Sequence, residues 1–160
     1  MSRRMAPGNI AVLWALAGVA ALFGSAVFRL GGRGIETIVG GLAPLQWVAL
    51  TVLTFVMVYG EGVVALQRRW VPKLIERACA LRDERFGLQL LAPLYGLSLV
   101  GAPAPRLIRA WLGTGAIVTA ILIVRSLPDP WRGIVDFAVA AALGWGLVSI
   151  ARRAPHAFRS

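Results

Sequence analysis

The stretch IAVLWALAGVAALFGSAVF, residues 10–28, decides the class of this protein because it holds nineteen consecutive residues without a charge. A helix needs about 20 predominantly apolar residues to cross a hydrocarbon core of about 30 Å. Three further stretches are long and apolar enough to do the same, at residues 42–66, 107–124 and 131–150. We therefore predict an all-α integral membrane protein with four transmembrane helices in a single membrane domain of residues 1–160.

The composition of the whole chain also favours a membrane protein. Of the 160 residues, 58% are hydrophobic and 15% are charged, and the mean hydropathy is +0.74. A soluble domain carries about 25% charged residues. This much apolar surface exceeds what a single soluble core can hide from water, so lipid must cover the remainder.

The 17 Lys and Arg residues outnumber the 7 Asp and Glu residues and suggest nucleic acid as a partner. Their positions argue against it, because they lie beside the apolar stretches and form no single basic face. Cytoplasmic loops near span ends are rich in Lys and Arg. With four spans and a cytoplasmic N-terminus, thirteen of these residues are cytoplasmic and only Arg29, Arg33, Arg125 and Arg132 lie outside. Both termini are therefore predicted to be cytoplasmic, and no nucleic acid is expected to bind.

The composition of the chain also indicates the membrane in which the protein is located. All but one of the seventeen cations are Arg, and the chain is rich in Ala and Gly, which indicates a GC-rich bacterial gene and hence the bacterial inner membrane. An alternative is that residues 10–28 form a secretory signal cleaved near Gly24-Ser25-Ala26. Its length and the spans that follow it favour a membrane anchor instead.

The region between the second and third spans is predicted to contain two further elements. Residues 70–86 read as an amphipathic helix at the cytoplasmic interface, with Pro72 in its first turn. This helix binds either anionic headgroups or a partner protein; the alternative is a basic anchor with no specific ligand. Residues 87–102 contain Pro93 and are too short for a comfortable span, and a fifth span would leave only ten cations inside. They are expected to form a re-entrant or interfacial segment packed against the spans.

Residues that usually carry catalysis or hold cofactors are scarce in this chain. There is one His and one Cys, which excludes an intramolecular disulfide and a zinc site built from these ligands. The chain has no phosphate-binding Gly-Lys-Ser/Thr motif and no carboxylate pair within a span. We therefore expect a protein that is not an enzyme, with no metal and no cofactor.

Glu61 is a candidate functional residue, because it is a charged residue within the second span, between Gly60 and Gly62. One hypothesis is that it handles protons or cations. The other is a structural ion pair, since Glu61 stands near the cytoplasmic end of its span, seven residues from the middle. Three arginines are available as partners: Arg109, Arg68 and Arg69.

A second acid, Asp136, lies in the first turns of the last span, four residues after Arg132. That spacing predicts a local ion pair on one helix face. The sequence Arg33-Gly34-Ile35-Glu36 is echoed by Arg132-Gly133-Ile134 followed by Asp136, which suggests either a parallel repeat or chance similarity. Small residues permit close contact between membrane helices, and four glycines are candidates for such packing: Gly60, Gly62, Gly113 and Gly144.

Two functions fit these patterns. The first is a non-catalytic accessory or scaffold subunit that packs against another membrane protein or a second copy of itself. The second is a small oligomeric channel or transporter that uses Glu61. The first is favoured because a transport pathway normally needs polar groups at several depths.

Overall fold

The computed structural model describes residues 7–80, 91, 93–94 and 103–155. In these residues the chain is helical, and four helices are long and apolar enough to cross a membrane. This confirms the prediction of an all-α protein with four apolar helices. The elements are α1 (Pro7–Val39), α2 (Pro44–Met57), a π-helical segment (Val58–Trp70), α3 (Val71–Ala80), α4 (Ala104–Arg125) and α5 (Trp131–Arg153).

Two helices are longer than their sequences predict. The first was expected to end at residue 28 but continues to Val39, because Gly31 and Gly34 pack against α5 beyond the apolar stretch. The second runs without a break from Pro44 to Ala80. Residues 71–80 therefore continue this helix, so the predicted amphipathic helix does not begin as a separate element at residue 70. Residues 81–86 lie outside the described part of the chain.

Pro72 stands where the hydrogen-bond register of this long helix changes. Its ring has no N–H to donate, which normally breaks a helix interior. Pro72 is the second residue of α3, directly after the π-helical segment, where the Val71 N–H bonds the Leu66 carbonyl five residues back. The helix thus accommodates the proline at the boundary between its π and α registers.

Helix α5 is the central element of the bundle. It packs against α1 on one side and against α2 and the π-helical segment on the other. Its buried residues are mostly small, so neighbouring helices can approach closely: Gly133, Ile134, Asp136, Ala138, Ala140, Ala142, Gly146, Ser149 and Ile150.

The contacts of α5 fix the helix directions. Gly34 of α1 meets Phe137 and Gly31 meets Ala140, so α1 runs antiparallel to α5. Gly62 meets Ala142 and Gly146 meets Leu66, so the long helix runs parallel to α5. The start of α1 and the ends of α3 and α5 therefore share one end of the bundle, here called the terminal end. Loops 40–43 and 126–130 lie at the opposite end, here called the loop end.

A cluster of buried apolar residues lies at the terminal end. It joins the first half of α1 to α3 and to the end of α5, and its buried members are Ala11, Val12, Ala15, Leu16, Val19, Val71, Leu74, Ala78 and Ile150. The rings of Phe23 and Trp70 stack beside it with centroids 5.4 Å apart. The apolar face of α3 is thus covered by α1.

The predicted re-entrant segment, residues 87–102, is described only at Leu91, Pro93 and Leu94. A Cβ atom built on Gly18 would lie 2.5 Å from Cγ of Pro93, so the proline ring fills the space that this glycine leaves. The other residues of the segment lie outside the described ranges.

Helix α4 stands apart from the other three. In its span, no residue of the most apolar window is buried, against 44% for α5. Among the described residues, α4 touches the bundle mainly at α5, the helix that follows it.

Candidate functional site

The first candidate site is a buried carboxylate near the loop end. Asp136 is 5% exposed, and its Oδ2 lies 3.9 Å from Nε of Arg132 and 3.6 Å from a guanidinium nitrogen of Arg33. Arg132 was expected beside Asp136 from their spacing. Arg33 was not, because the sequence places it in a loop after the first span. It reaches Asp136 because α1 stays helical and crosses α5 here.

Two glycines permit this crossing. A Cβ atom on Gly34 would lie 2.6 Å from Cβ and 2.9 Å from Cα of Phe137, and one on Gly133 would overlap the Thr37 side chain. Helix α1 and α5 therefore touch almost backbone to backbone, which brings Arg33 within reach of α5. The two copies of the Arg-Gly-Ile pattern face each other on antiparallel helices, so they do not form a parallel repeat.

An open pocket of about 540 Å³ lies beside this charge cluster. Its lining carries two basic and two acidic side chains, along with residues of both loops: Arg33, Glu36, Thr37, Gly40, Gly41, Asp129, Pro130 and Arg132. Oδ2 of Asp136 and Nε of Arg132 are buried without a hydrogen-bond partner. Charge attraction between Asp136 and Arg33 therefore holds α1 against α5, without a hydrogen bond between the two side chains.

The second candidate site is Glu61 in the π-helical segment. Its side chain is exposed, whereas the adjacent Gly62 is buried against the Ala142 carbonyl and Trp145. Among the residues that the structure describes, Glu61 forms no ion pair. The three arginines proposed as its partners are also exposed, Arg68 and Arg69 on the π-helical segment and Arg109 on α4.

Glu61 lies near the middle of the bundle along its long axis, although it lies near the end of its own predicted span. Gly62 contacts Ala142, which lies near the midpoint of the 23-residue helix α5. On the other side of α5, a Cβ atom built on Gly31 would lie 3.7 Å from Cβ of Ala140. Arg29 precedes Gly31 by two residues and is exposed. Glu61 and Arg29 are therefore within about one helical turn, roughly 5 Å, of the same level.

A polar contact fixes the π-helical segment to α5. The Trp145 indole Nε1–H donates to Oε1 of Gln67 over 2.7 Å. Small-residue contacts flank this bond on both sides, at Gly62 and Gly146. This contact was not predicted, and the sequence offers no spacing signal for a pair 78 residues apart.

The four glycines predicted to pack helices have different surroundings. Gly62 lies in a helix contact, whereas a Cβ atom on Gly60, Gly113 or Gly144 would meet no atom of the described residues within 4 Å. The closest approaches of α1 and α5 instead use Gly34 and Gly133. Both belong to the repeated Arg-Gly-Ile pattern, which from the sequence alone suggests a repeat or a chance similarity and not helix packing.

No protein-family model, no curated protein and no solved structure matches this chain. Within the described ranges, no group of three or more His, Cys, Asp or Glu side chains is placed to hold a metal ion.

Proposed function

We propose that this protein is a non-catalytic multi-pass membrane protein that acts by packing against other membrane proteins, as an accessory or scaffold subunit. The observation that carries the proposal is the isolation of α4. Helix α1 and the long helix Pro44–Ala80 pack against α5, whereas the most apolar window of α4 has no buried residue. A span that the described part of its own chain leaves exposed is available to another protein.

The surface of α4 suits close contact with a neighbouring helix. Gly115 and Thr119 are one turn apart on the same face, and both are exposed. The Thr119 hydroxyl donates to the Gly115 carbonyl at 2.9 Å, so this face is flat and its polar group is already bonded. Helix pairs in membranes use such faces because lipid provides no hydrophobic drive for association.

Site-specific photocrosslinking in native membranes tests this proposal. A photoreactive residue at Leu122, beside Gly115 and Thr119, should form an adduct with one discrete membrane protein. The same residue at Ile117, on the opposite face of α4, should react only with lipid. Lipid adducts alone from both positions would contradict the proposal.

The basic residues at the terminal end favour contact with a negatively charged membrane surface. Arg68, Arg69 and Lys73 are exposed there. Each such cation contributes about 1 kcal/mol of attraction to anionic headgroups. We place this end, and both chain termini, on the cytoplasmic side of a bacterial inner membrane, where such cations are enriched.

Transport through Glu61 is the second candidate function. It is favoured by the position of this exposed acid in a π-helical segment, since π-helical turns are frequent at functional sites. At the glycine contacts α5 packs directly against α1 and against the π-helical segment, so a pathway would run between copies of the chain. Ion flux in proteoliposomes that disappears in Glu61→Gln would support transport and count against a purely structural role.

A further inference from the structure

We propose that copies of this chain associate side by side in the membrane, with Glu61 of one copy paired to Arg29 of the next. The inference rests on the proposed function, because it names one partner of this interaction protein as a second copy. The contact between copies is formed by α1 and the π-helical segment, whereas the helix proposed to dock other membrane proteins is α4.

The first argument is the shared level of the two charges. Gly31 contacts α5 at Ala140, and Gly62 contacts it at the Ala142 carbonyl and at Trp145, two to five residues further along. Because α1 is antiparallel to α5 and the π-helical segment is parallel to it, Arg29 and Glu61 both fall beside this turn. The turn lies near the midpoint of α5, about 16 Å from either end of the helix. With α5 across the bilayer, both charges lie near its centre.

The second argument is that neither charge has a partner among the described residues. Both side chains are exposed, and neither forms an ion pair among the residues that the structure describes. By contrast Asp136, nearer the loop end, has Arg33 and Arg132 beside it. Charged groups near the bilayer centre are unfavourable and are usually paired with one another. An intermolecular pair satisfies both charges together.

The third argument identifies the partner as the same chain. All copies insert with the same orientation, so the Arg29 of one copy is automatically at the depth of Glu61 in its neighbour. A different protein would need a cation and an anion at this one depth to satisfy both groups. Charge complementarity at equal depth is thus already present in two copies of this sequence.

The direction of the contact follows from the position of α5. At the level of Ala140 and Ala142 it lies between α1 and the π-helical segment, so Arg29 and Glu61 are carried on different flanks of the bundle. The pairing is therefore head to tail, with one flank of each copy facing the other flank of the next. Such an interface produces a ring if the rotation closes and an open row if it does not.

Charge exchange in the full-length chain tests the pairing. Donor- and acceptor-labelled copies are reconstituted in liposomes, and energy transfer is followed while the protein is diluted with lipid. Glu61→Arg alone and Arg29→Glu alone should each weaken association by about tenfold or more, since each places like charges opposite one another. The double variant carrying both substitutions should restore association, because it re-forms the pair with reversed polarity.

A matched control is Arg125→Glu, since Arg125 is an exposed arginine at the loop end of α4, at a different level from Arg29 and Glu61. It should leave energy transfer unchanged. The inference is overturned if the single variants associate like the original chain, or if the double variant stays as weak as either single one. Loss of association in the double variant with an unchanged Leu122 adduct would remove self-pairing and leave the proposed function in place. If the double variant restores association but no protein adduct forms at Leu122, self-pairing stands and the proposed docking through α4 fails.

Discussion

Replacing Gly34 by Ala should push α1 away from α5. The new Cβ would lie 2.6 Å from Cβ and 2.9 Å from Cα of Phe137. Carbon atoms pack best at about 3.5 to 4.0 Å, so the helices must separate by close to 1 Å. The Cα atom belongs to the backbone and cannot rotate away, so this overpacking should cost about 1 to 3 kcal/mol.

Gly32→Ala is the matched control for this substitution. It adds the same methyl group to the same helix, but nothing lies within 4 Å of the new Cβ. The intrinsic gain in helix propensity, about 1 kcal/mol at most, is common to both variants and cancels in their difference. The free energy of unfolding should therefore be about 1 to 3 kcal/mol lower for Gly34→Ala than for Gly32→Ala.

Reversible unfolding by SDS in mixed micelles, followed by tryptophan fluorescence, measures this difference. Because Arg33 adjoins Gly34, the Gly34 variant should also loosen the contact between Arg33 and Asp136. Equal unfolding free energies for the two variants would refute the reasoning, since they would mean that α1 and α5 do not meet at Gly34.

Three further substitutions test separate contacts by the same unfolding measurement. Leu74→Ala should destabilise the bundle by about 2 to 5 kcal/mol, because Leu74 is 1% exposed in the terminal-end cluster, whereas Lys73→Ala on the exposed side should have little effect. A double-mutant cycle of Trp145→Phe and Gln67→Leu should give a coupling energy of about 0.6 to 1.7 kcal/mol for their hydrogen bond, and a coupling of zero would exclude it. Asp136→Asn should lower the free energy of unfolding by about 1 to 2 kcal/mol. This loss is smaller than for a fully buried ion pair, because the Arg33 side chain is half exposed. An unchanged free energy of unfolding would show that attraction between Asp136 and the two arginines does not stabilise the bundle.

The sequence predicts the last two helices closely. The stretches 107–124 and 131–150 correspond to Ala104–Arg125 and Trp131–Arg153, because Ser126-Leu127-Pro128-Asp129-Pro130 provides a turn between them. Length and hydropathy suffice there, since the helix ends coincide with local breaks in the sequence.

The first helix was harder to predict because its charges lie inside it. Hydropathy predicts that the span ends before Arg29, whereas packing of Gly31 and Gly34 against α5 keeps the chain helical through it. Hydropathy reports how well a segment alone fits lipid, and it contains no information on which neighbour will cover a charge. Arg33 illustrates this, since its acid is on α5, about a hundred residues later.

The level of Glu61 could not be predicted for the same reason. Counting along its own span puts it near the cytoplasmic end, whereas its depth in the bundle is set by the contact of Gly62 with Ala142. Three glycines with open surroundings, Gly60, Gly113 and Gly144, also show that composition identifies small residues but not the helix face that packs.

The shared level of residues 29 and 61 is most directly tested by the depth of spin labels in a lipid bilayer. Labels on the exposed neighbours Phe28→Cys and Gly60→Cys, each in a Cys79→Ala background, report the two levels through their accessibility to oxygen and to a water-soluble quencher. The structure predicts depths that agree within about one helical turn, roughly 5 Å. Depths that differ by about 20 Å, with the two labels toward opposite faces of the bilayer, would contradict the arrangement of α1 and the π-helical segment around α5.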